Sequence, residues 1–303
     1  MTAAPVVVVA NPTAGRGKAG RLIGKADAIL HALRVEHEVR VSESAGDFET
    51  TARRAAEEGA EIVAVLGGDG TVSLGANALL GTGAALAVLP AGTGDDFAKV
   101  IGAGKFDAAV RLLVNPKIVQ IDVVSLVAGV ERRHFVNIAG AGFDSEVNET
   151  ANAMTVNLGG TGTYVAAVIK TLSRFSPAHY ELTIDGEPLS VDAMLTVVGS
   201  GRQFGGGMKV LPGAYVNDGL LDVCIVEALG KAAFLRAFPR VFTGSHGSHP
   251  KVRMLRASAV TVEANRKVQV YADGERVGPL PATFEVLPGA LPVVVGPDAK
   301  GIR

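Results

Sequence analysis

The strongest constraint on the fold is a regular alternation of short β-branched runs and helical patterns over the first 115 residues. Such alternation is typical of a parallel sheet with helices on both faces. The predicted strands lie at 5–10, 36–41, 61–66 and 85–89, and the predicted helices at about 17–33, 47–58, 71–80 and 94–114. We therefore expect an α/β domain at this end of the chain.

The pattern changes after about Lys117, where apolar and polar residues alternate with a period of two. Predicted strands lie at 118–127, 132–139, 179–185, 191–199, 219–226, 258–264, 267–272 and 282–287, and two amphipathic segments interrupt them at 161–175 and 230–243. Asp-Gly and Asn-Asp-Gly turns suit antiparallel pairing. At ~150 residues per domain, 303 residues suggest two domains. We expect them at 1–120 and 121–287, with 288–303 returning to the first.

Composition excludes several classes of protein. The chain has 29 basic and 30 acidic residues, which argues against a surface built for nucleic acid. A single cysteine, Cys224, rules out a disulfide framework. No apolar run approaches the ~20 residues of a membrane span, and the uncharged start of the chain is typical of a strand rather than a signal peptide. We expect a cytoplasmic protein that can still work at the inner face of a membrane.

Two glycine-rich segments follow predicted strands and precede predicted helices. The first is GGDGT at 67–71, and the second is PAGTGDDFA at 90–98. A glycine loop at such a junction lets backbone N–H groups and a helix N-terminus converge on phosphate. Both loops leave the carboxyl ends of strands in one sheet, where open α/β sheets bind ligands. The alternative is a pair of tight turns, in which Thr93, Asp95 or Asp96 caps the next helix.

A third glycine-rich segment, GRGKAG at 15–20, matches the dinucleotide-binding pattern G-x-G-x-x-G only formally. Four residues separate its first glycine from the predicted strand, whereas the fingerprint places glycine at the strand end. Arg16 and Lys18 are candidates for phosphate contacts, and solvated charges at a helix start are the alternative. The segment therefore gives little support for a Rossmann oxidoreductase.

Several motifs occur together in a fixed order along the chain. They are Asn11-Pro12 with Gly15, GGDGT at 67–71, P-x-G-T-x-x-D-F-A at 90–98, GAGFD at 140–144, GGG at 205–207, Pro212 with Ala214, NDGLLD at 217–222 and DGE at 273–275. In this combination the chain resembles the bacterial diacylglycerol kinase-like lipid kinases. The resemblance implies an α/β domain with a parallel sheet of the NAD kinase and diacylglycerol kinase type, followed by a β-rich, mostly antiparallel domain. It also implies an ATP- and Mg²⁺-dependent enzyme that phosphorylates the hydroxyl of diacylglycerol or a related lipid in a cleft between the domains.

The resemblance also implies roles for individual residues. The nucleotide would contact Asn11, Ser42, Gly67, Gly68, Asp69, Gly70, Thr71, Val72, Ser73 and Thr93. Asp69 would contact the catalytic Mg²⁺, partly through water, and Asp273 would be the general base. A second, structural Mg²⁺ would be held by Asp218 and the backbone carbonyls of Tyr215 and Leu220.

Two positions depart from the family pattern, which usually has Asn where this chain has Ser73 and Asp95. An additional carboxylate near a triphosphate repels it unless Mg²⁺ or a basic residue compensates. From spacing alone, the Asp273-Gly274 and Asn217-Asp218-Gly219 segments are also explained as ordinary turns. Two other functions stay open: an NAD kinase, whose family shares the GGDGT loop, and a catalytically silent nucleotide- or lipid-binding protein.

Residues 231–256 contain six basic residues and no acidic one. The basic residues are Lys231, Arg236, Arg240, Lys251, Arg253 and Arg256. Apolar side chains accompany them at helical spacing, and Pro239 should break that helix. Such a segment can lie on anionic lipid headgroups, which makes a membrane surface the expected partner. The alternative is a packing helix with a solvated charged face, and a homodimer is also left open.

Overall fold

The computed structural model describes residues 5–154 and 160–303. The chain divides into two compact units. The first consists of the residues up to Val123 together with Pro288–Arg303, and the second is Val124–Leu287. The boundaries expected from the sequence differ from this division by no more than three residues. Within the described residues, no helix is both long enough and apolar enough to cross a membrane.

Strands and helices alternate through the first unit. They are β1 (Val6–Ala10), α1 (Lys18–Ala32), β2 (His37–Val41), α2 (Ala45–Glu57), β3 (Ile62–Gly67), α3 (Asp69–Leu79), β4 (Ala85–Pro90), α4 (Asp96–Val100) and α5 (Phe106–Arg111). The four strands pair in parallel in the order β2, β1, β3, β4, and Val293 of the last strand of the chain pairs in parallel with Leu86. Every residue of β1, β3 and β4 is buried, as in a sheet covered on both faces. The four predicted strands are confirmed.

The single helix predicted at 94–114 is wrong, because the structure has the two short helices α4 and α5 there. In a continuing helix, the carbonyls of Val100 and Ile101 would accept from N–H groups four residues later. Instead, Val100 O accepts from Gly301 N at 3.2 Å and Ile101 O from Gly296 N at 2.8 Å. The returning end of the chain thus replaces the next helical turn, and no local pattern could reveal this.

The second unit is built mainly from antiparallel strands. Its elements are β5 (Lys117–Ala128), which begins in the first unit, β6 (Glu131–Phe135), β7 (Ile138–Gly142), α6 (Phe143–Asn152), α7 (Gly160–Arg174), β8 (Ala178–Ile184), β9 (Glu187–Gly199), β10 (Leu221–Glu227), α8 (Lys231–Ala237), β11 (Val252–Ala257), β12 (Ala259–Ala264), β13 (Gln269–Ala272), β14 (Glu275–Pro279) and β15 (Ala282–Val295). Strands β14, β13, β7, β9, β8 and β12 pair as antiparallel neighbours in that order, and the first part of β15 continues the series beside β12. Strand β10 pairs with both β9 and β11. The antiparallel architecture predicted for this region is confirmed.

Two details of the second unit differ from the expectation, and the break of the helix near Pro239 agrees with it. The strand predicted at 132–139 is two strands, β6 and β7, because the backbone between them turns its N–H groups to a carboxylate described below. Helix α6 and strands β11 and β14 were not predicted. Helix α8 ends at Ala237 and passes into a 3₁₀ segment at Phe238–Phe242, where Pro239 cannot continue an α-helix.

Candidate functional site

The predicted nucleotide-contacting residues follow the four parallel strands of the first unit. Asn11 comes directly after β1, Ser42 after β2, Gly68 after β3, and the loop containing Thr93 after β4. Since the strands are parallel and in register, these residues lie at one edge of the sheet, where α/β proteins bind ligands.

The glycine loops at this edge pack backbone against backbone. A Cβ atom on Gly68 would lie 3.1 Å from the Cα of Gly92, and one on Gly15 would lie 2.0 Å from the carbonyl oxygen of Ala91. Lys18 joins the same group, since its Nζ donates to Gly92 O at 3.4 Å. Side chains would separate the loops, so glycine is needed for the close approach. This edge of the sheet is therefore lined by backbone groups and a lysine, and such groups suit the binding of a chain of phosphates.

Asp69 ties two of these loops together. Its Oδ1 accepts from the backbone N–H groups of Asp96 and Phe97, at 2.8 and 3.2 Å, which begin helix α4. Asp95 occupies the N-cap position of α4, but its Oδ1 accepts from Gly92 N at 2.8 Å instead. The cap of α4 is thus supplied from the preceding glycine loop, and not by Thr93, Asp95 or Asp96 as in the alternative interpretation of this segment. The reason is tertiary: a cap 27 positions away leaves no local signal.

Three carboxylates crowd this edge. Burial and, after it, the charges of Asp96 and Asp95 raise the pKa of Asp69 to about 6, although the two backbone N–H groups that it accepts from oppose the rise. Burial also raises the pKa of Asp95, while the Gly92 N–H group and then Lys18 and Lys99 oppose that rise. A Cβ atom on Gly94 would lie 2.9 Å from Asp69 Oδ2 and 3.4 Å from Asp96 Oδ2, so two carboxylate oxygens converge there.

Convergent carboxylate oxygens are ligands that suit Mg²⁺. No group of three His, Cys, Asp or Glu side chains in the described part of the chain is arranged to hold a metal alone. Mg²⁺ commonly binds through one or two carboxylates together with substrate phosphates and water. Asp69 and Asp96 fit that kind of site.

The side chains of several other predicted nucleotide-contacting residues form hydrogen bonds within the protein or are buried. Asn11 Oδ1 accepts from the N–H and hydroxyl of Thr13, at 3.1 and 2.7 Å, and shapes the loop after β1. Ser42 is buried, and its hydroxyl donates to Ala10 O at 3.2 Å. Val72 and Ser73 are buried in α3, whereas Thr93 is exposed. A nucleotide could thus meet the Thr93 side chain, but Val72 and Ser73 only through their backbone.

In the second unit, Asp273 lies in the turn between β13 and β14. Its φ is 48° and that of Gly274 is 86°, which is the Asp-Gly hairpin geometry that the sequence predicts. Its two oxygens accept from the backbone N–H groups of Ile138 and Val136, at 3.0 and 3.1 Å. These bonds explain the interruption between β6 and β7. They also hold the carboxylate in a fixed orientation.

The turn predicted to hold a structural Mg²⁺ contains an ion pair. Asp218 Oδ2 accepts from Arg256 Nη2, and Arg256 Nε lies 3.8 Å from Asp222 Oδ2. The guanidinium supplies positive charge to the carboxylate that was expected to bind the metal. A Mg²⁺ on Asp218 and the carbonyls of Tyr215 and Leu220 would therefore share this carboxylate with Arg256.

An apolar cavity lies inside the second unit. It encloses about 730 Å³ including its opening. Its wall comes from helices α6, α7 and α8, the 3₁₀ segments Phe238–Phe242 and Ser245–Ser248, and strands β9 and β10. Its only ionisable lining residues among those described are Asp144, Cys224, His246 and His249. Burial raises the pKa of the Cys224 thiol to about 12, which makes it unreactive core. Sequence reasoning missed this cavity, because its lining is spread over 110 residues and only Phe143 and Asp144 belong to a motif.

The two units thus define a class of protein. The first unit has a parallel sheet whose glycine loops suit phosphate, and the second is rich in β-strands and contains an apolar cavity. The diacylglycerol kinase catalytic domain matches residues 5–126, and the YegS C-terminal NAD kinase beta sandwich-like domain matches residues 137–295. A diacylglycerol kinase of Mycobacterium tuberculosis is 35% identical over 294 residues, which cover 95% of this chain and 94% of that protein. One from Bacillus subtilis is 28% identical and covers 91% of each chain.

A crystal structure of a diacylglycerol kinase from Bacillus anthracis shares the fold, with a TM-score of 0.76 at 23% identity over 99% of both chains. The chain belongs to the diacylglycerol kinase-like family of lipid kinases. Membership of a kinase family implies ATP as the phosphoryl donor.

Proposed function

We propose that this protein transfers the γ-phosphoryl group of ATP, with Mg²⁺, to the hydroxyl of diacylglycerol or a closely related lipid. The observation that carries this proposal is the apolar cavity of the second unit. A hydrocarbon chain gains free energy when it leaves water for such a cavity, at about 25 cal/mol per Å² of buried surface. NAD is polar and charged, and apolar walls would offer it little compensation for lost hydration.

The nucleotide belongs to the first unit in this proposal. Backbone N–H groups of Gly68 and Gly70, at the start of α3, would bind phosphate oxygens, and Lys18 would add positive charge. Asp69 and Asp96 would hold Mg²⁺, which when bound neutralises charge on the transferred group. The raised pKa of Asp69 supports this role, because crowded carboxylates are stabilised by a cation.

Asp273 is the general base in this proposal. The hydroxyl proton passes to its carboxylate, the hydroxyl oxygen bonds to the γ-phosphorus, and the bond from that phosphorus to the oxygen of ADP breaks. The two backbone N–H groups on Asp273 support the assignment, since they fix the direction of the carboxylate.

Within the basic segment 231–256, we expect only α8 and the 3₁₀ segment that follows it to contact a membrane surface. The cations in and just before β11 are paired: Lys251 and Arg253 with Glu227, at 3.0 and 2.7 Å, and Arg256 with Asp218. Arg236 and Arg240 have no ion-pair partner among the described residues, and the neighbouring Leu235 is 45% exposed. We expect Arg236→Gln with Arg240→Gln to weaken sedimentation with anionic vesicles, and Arg132→Gln with Arg133→Gln, on the distant β6, to leave it unchanged. The homodimer stays a prediction.

The decisive test supplies radiolabelled ATP and Mg²⁺ with micelles of diacylglycerol, monoacylglycerol or an N-acyl amino alcohol, and separately with NAD. We expect a labelled phospholipid that disappears when EDTA removes Mg²⁺. Label on NAD alone would establish the NAD kinase alternative. Tight ATP binding with no labelled product from any acceptor would establish the silent binding protein.

A further inference from the structure

One tripeptide of the second unit binds both oxygens of the Asp273 carboxylate. It is Val136-Asn137-Ile138, whose outer residues donate their N–H groups to Asp273 Oδ2 and Oδ1, at 3.1 and 3.0 Å. A third bond runs in the opposite direction, since Asp273 N donates to Ile138 O at 2.9 Å. Whatever holds this tripeptide in place therefore also holds the carboxylate.

The middle residue, Asn137, anchors the tripeptide on its other side. It is 5% exposed. Its carbonyl oxygen accepts from the backbone N–H groups of Ser200 and Gly201, at 3.1 and 2.9 Å, and its Nδ2 donates to Gln203 O at 2.9 Å. Within the described residues, Asn137 Oδ1 has no hydrogen-bond partner, so the bond from Nδ2 orients the amide. A donor is required there, because a carbonyl oxygen only accepts.

Two glycines make room for Asn137. A Cβ atom on Gly201 would lie 1.7 Å from Asn137 Oδ1, and one on Gly199 would lie 2.4 Å from Asn137 O. The backbones at 137 and 199–201 are thus packed as closely as glycine allows. A side chain enclosed in this way is held in one arrangement, and it fixes the backbone beside it.

The loop that receives the Asn137 amide also forms part of the cavity wall. Phe204 follows Gln203 and pairs with Met208 through two backbone hydrogen bonds, of 3.1 and 3.0 Å. The side chains of Phe204 and Met208 both line the apolar cavity. Asn137 therefore connects the wall of the proposed lipid site to the carboxylate of the proposed base, Asp273.

We propose that Asn137 is a positioning residue for phosphoryl transfer, which holds Asp273 in a fixed place relative to the lipid in the cavity. The proposal rests on the proposed function for the roles of Asp273 and of the cavity. Asn137 acts through the N–H groups of its two neighbours rather than by contact with lipid or nucleotide. A general base must lie within hydrogen-bond reach of the reacting hydroxyl, and a misplacement of about 1 Å can lower a rate by about 10²-fold.

The first test observes the carboxylate directly by NMR and needs neither ATP nor lipid. The backbone amide resonances of Val136 and Ile138 should shift together with pH in the wild-type protein, because both groups donate to Asp273. In Asn137→Ala we expect both amide protons to move upfield, and the midpoint of their pH-dependent shift to move to higher pH, since the charged carboxylate loses donors. Asn265→Ala is the control and should change neither, because its side chain also bonds a backbone N–H group of this unit, at 3.1 Å.

The second test asks whether the same substitution affects catalysis through Asp273. Asn137→Ala should lower kcat about 10–100-fold and leave KM for ATP unchanged. In an Asp273→Asn background it should cause no further loss, because the effects of residues that act as a unit are not additive. A residue that only stabilises the fold would lower kcat equally in both backgrounds, and that result would overturn the proposal.

Amide resonances that are the same in Asn137→Ala as in wild type would overturn it as well. If Asn137→Ala does not fold, Gly201→Ala displaces the amide from the other side and should give the same results. If neither variant folds, the wild-type protein decides: the side-chain NH₂ resonances of Asn137 should shift with the same midpoint as the Ile138 amide, and the absence of a shift would refute the link. Should Asp273→Asn retain full kcat, the proposed base would fail, whereas the resonances would still decide whether Asn137 positions the carboxylate.

Discussion

The two units recognise their ligands by opposite means. In the first unit, glycine backbones approach each other closely, and three carboxylates and two lysines surround them at a solvent-accessible edge. In the second unit, apolar side chains enclose a cavity in which only a few polar atoms occur. Phosphate is held by oriented N–H groups and charge, whereas a hydrocarbon chain is held by the exclusion of water. A lipid kinase needs both environments in one chain, and each should respond to a different kind of substitution.

The largest expected effect is on kcat, and it tests whether Asp273 is a catalytic base or only a turn residue. Asp273→Asn should lower kcat by about 10²–10⁴-fold, the usual contribution of a general base. The chain offers a matched control in Asp185, which also has a φ of 48° before a glycine and also accepts from two backbone N–H groups, those of Ser258 and Ala259. Asp185→Asn should leave kcat unchanged. Equal losses in both variants would mean that Asp273 is only a turn residue.

The next effect tests how well the cavity of the second unit excludes water. Burial raises the pKa of Asp144 from 3.8 to about 7, so the folded state binds this proton more tightly than the unfolded state. The contribution to stability is complete below pH 4 and is lost as the pH rises through 7. Asp144→Asn should therefore be more stable than wild type at pH 8, by about 4 kcal/mol, and this advantage should fall by about 3 kcal/mol at pH 5.

Urea unfolding at the two pH values measures this difference. The exposed Glu187→Gln in the same unit serves as the control, and its effect should not change with pH. A pH-independent difference between Asp144→Asn and wild type would mean that water reaches this carboxyl group.

The contrast between the units also explains what the sequence could reveal. Strands β1 to β4 and the glycine loops depend on neighbours in the chain, so periodicity and spacing predicted them. The cap of α4 by Asp69, the end of α4 at the returning terminal segment, and the break that Asp273 imposes between β6 and β7 are contacts between distant residues. The cavity is missed for the same reason, since its apolar lining residues look like ordinary core until the fold brings them together. The motif containing Asp144 was recognised, but nothing local indicated that its carboxyl group is buried at the wall of a cavity.

A smaller effect tests whether close backbone packing makes the nucleotide edge. A Cβ atom on Gly92 would lie 2.6 Å from Asp95 Oδ1 and 2.8 Å from Gly68 Cα, so Gly92→Ala must push the two loops apart. We expect KM for ATP to rise about 10–100-fold, as for the loss of one charge-assisted hydrogen bond. Gly46→Ala is the control, because nothing lies within 4 Å of its Cβ position. An unchanged KM for ATP in Gly92→Ala would mean that the nucleotide does not bind at these loops.

The smallest effect concerns the departure from the family pattern at Asp95. Asp95→Asn keeps the side-chain oxygen that accepts from Gly92 N, and Asn tolerates the left-handed backbone at φ 49° as well as Asp does. Only a negative charge is lost, and Lys18 and Lys99 already offset part of it. We expect KM for ATP to fall about threefold at low salt, and the gain to shrink in ~1 M salt, where charges are screened over ~3 Å. Asp107→Asn, at an exposed carboxylate of α5, should not change KM. A higher KM in Asp95→Asn would instead make this carboxylate a contributor to Mg²⁺ binding, and the first unit would then hold its metal with three acidic side chains.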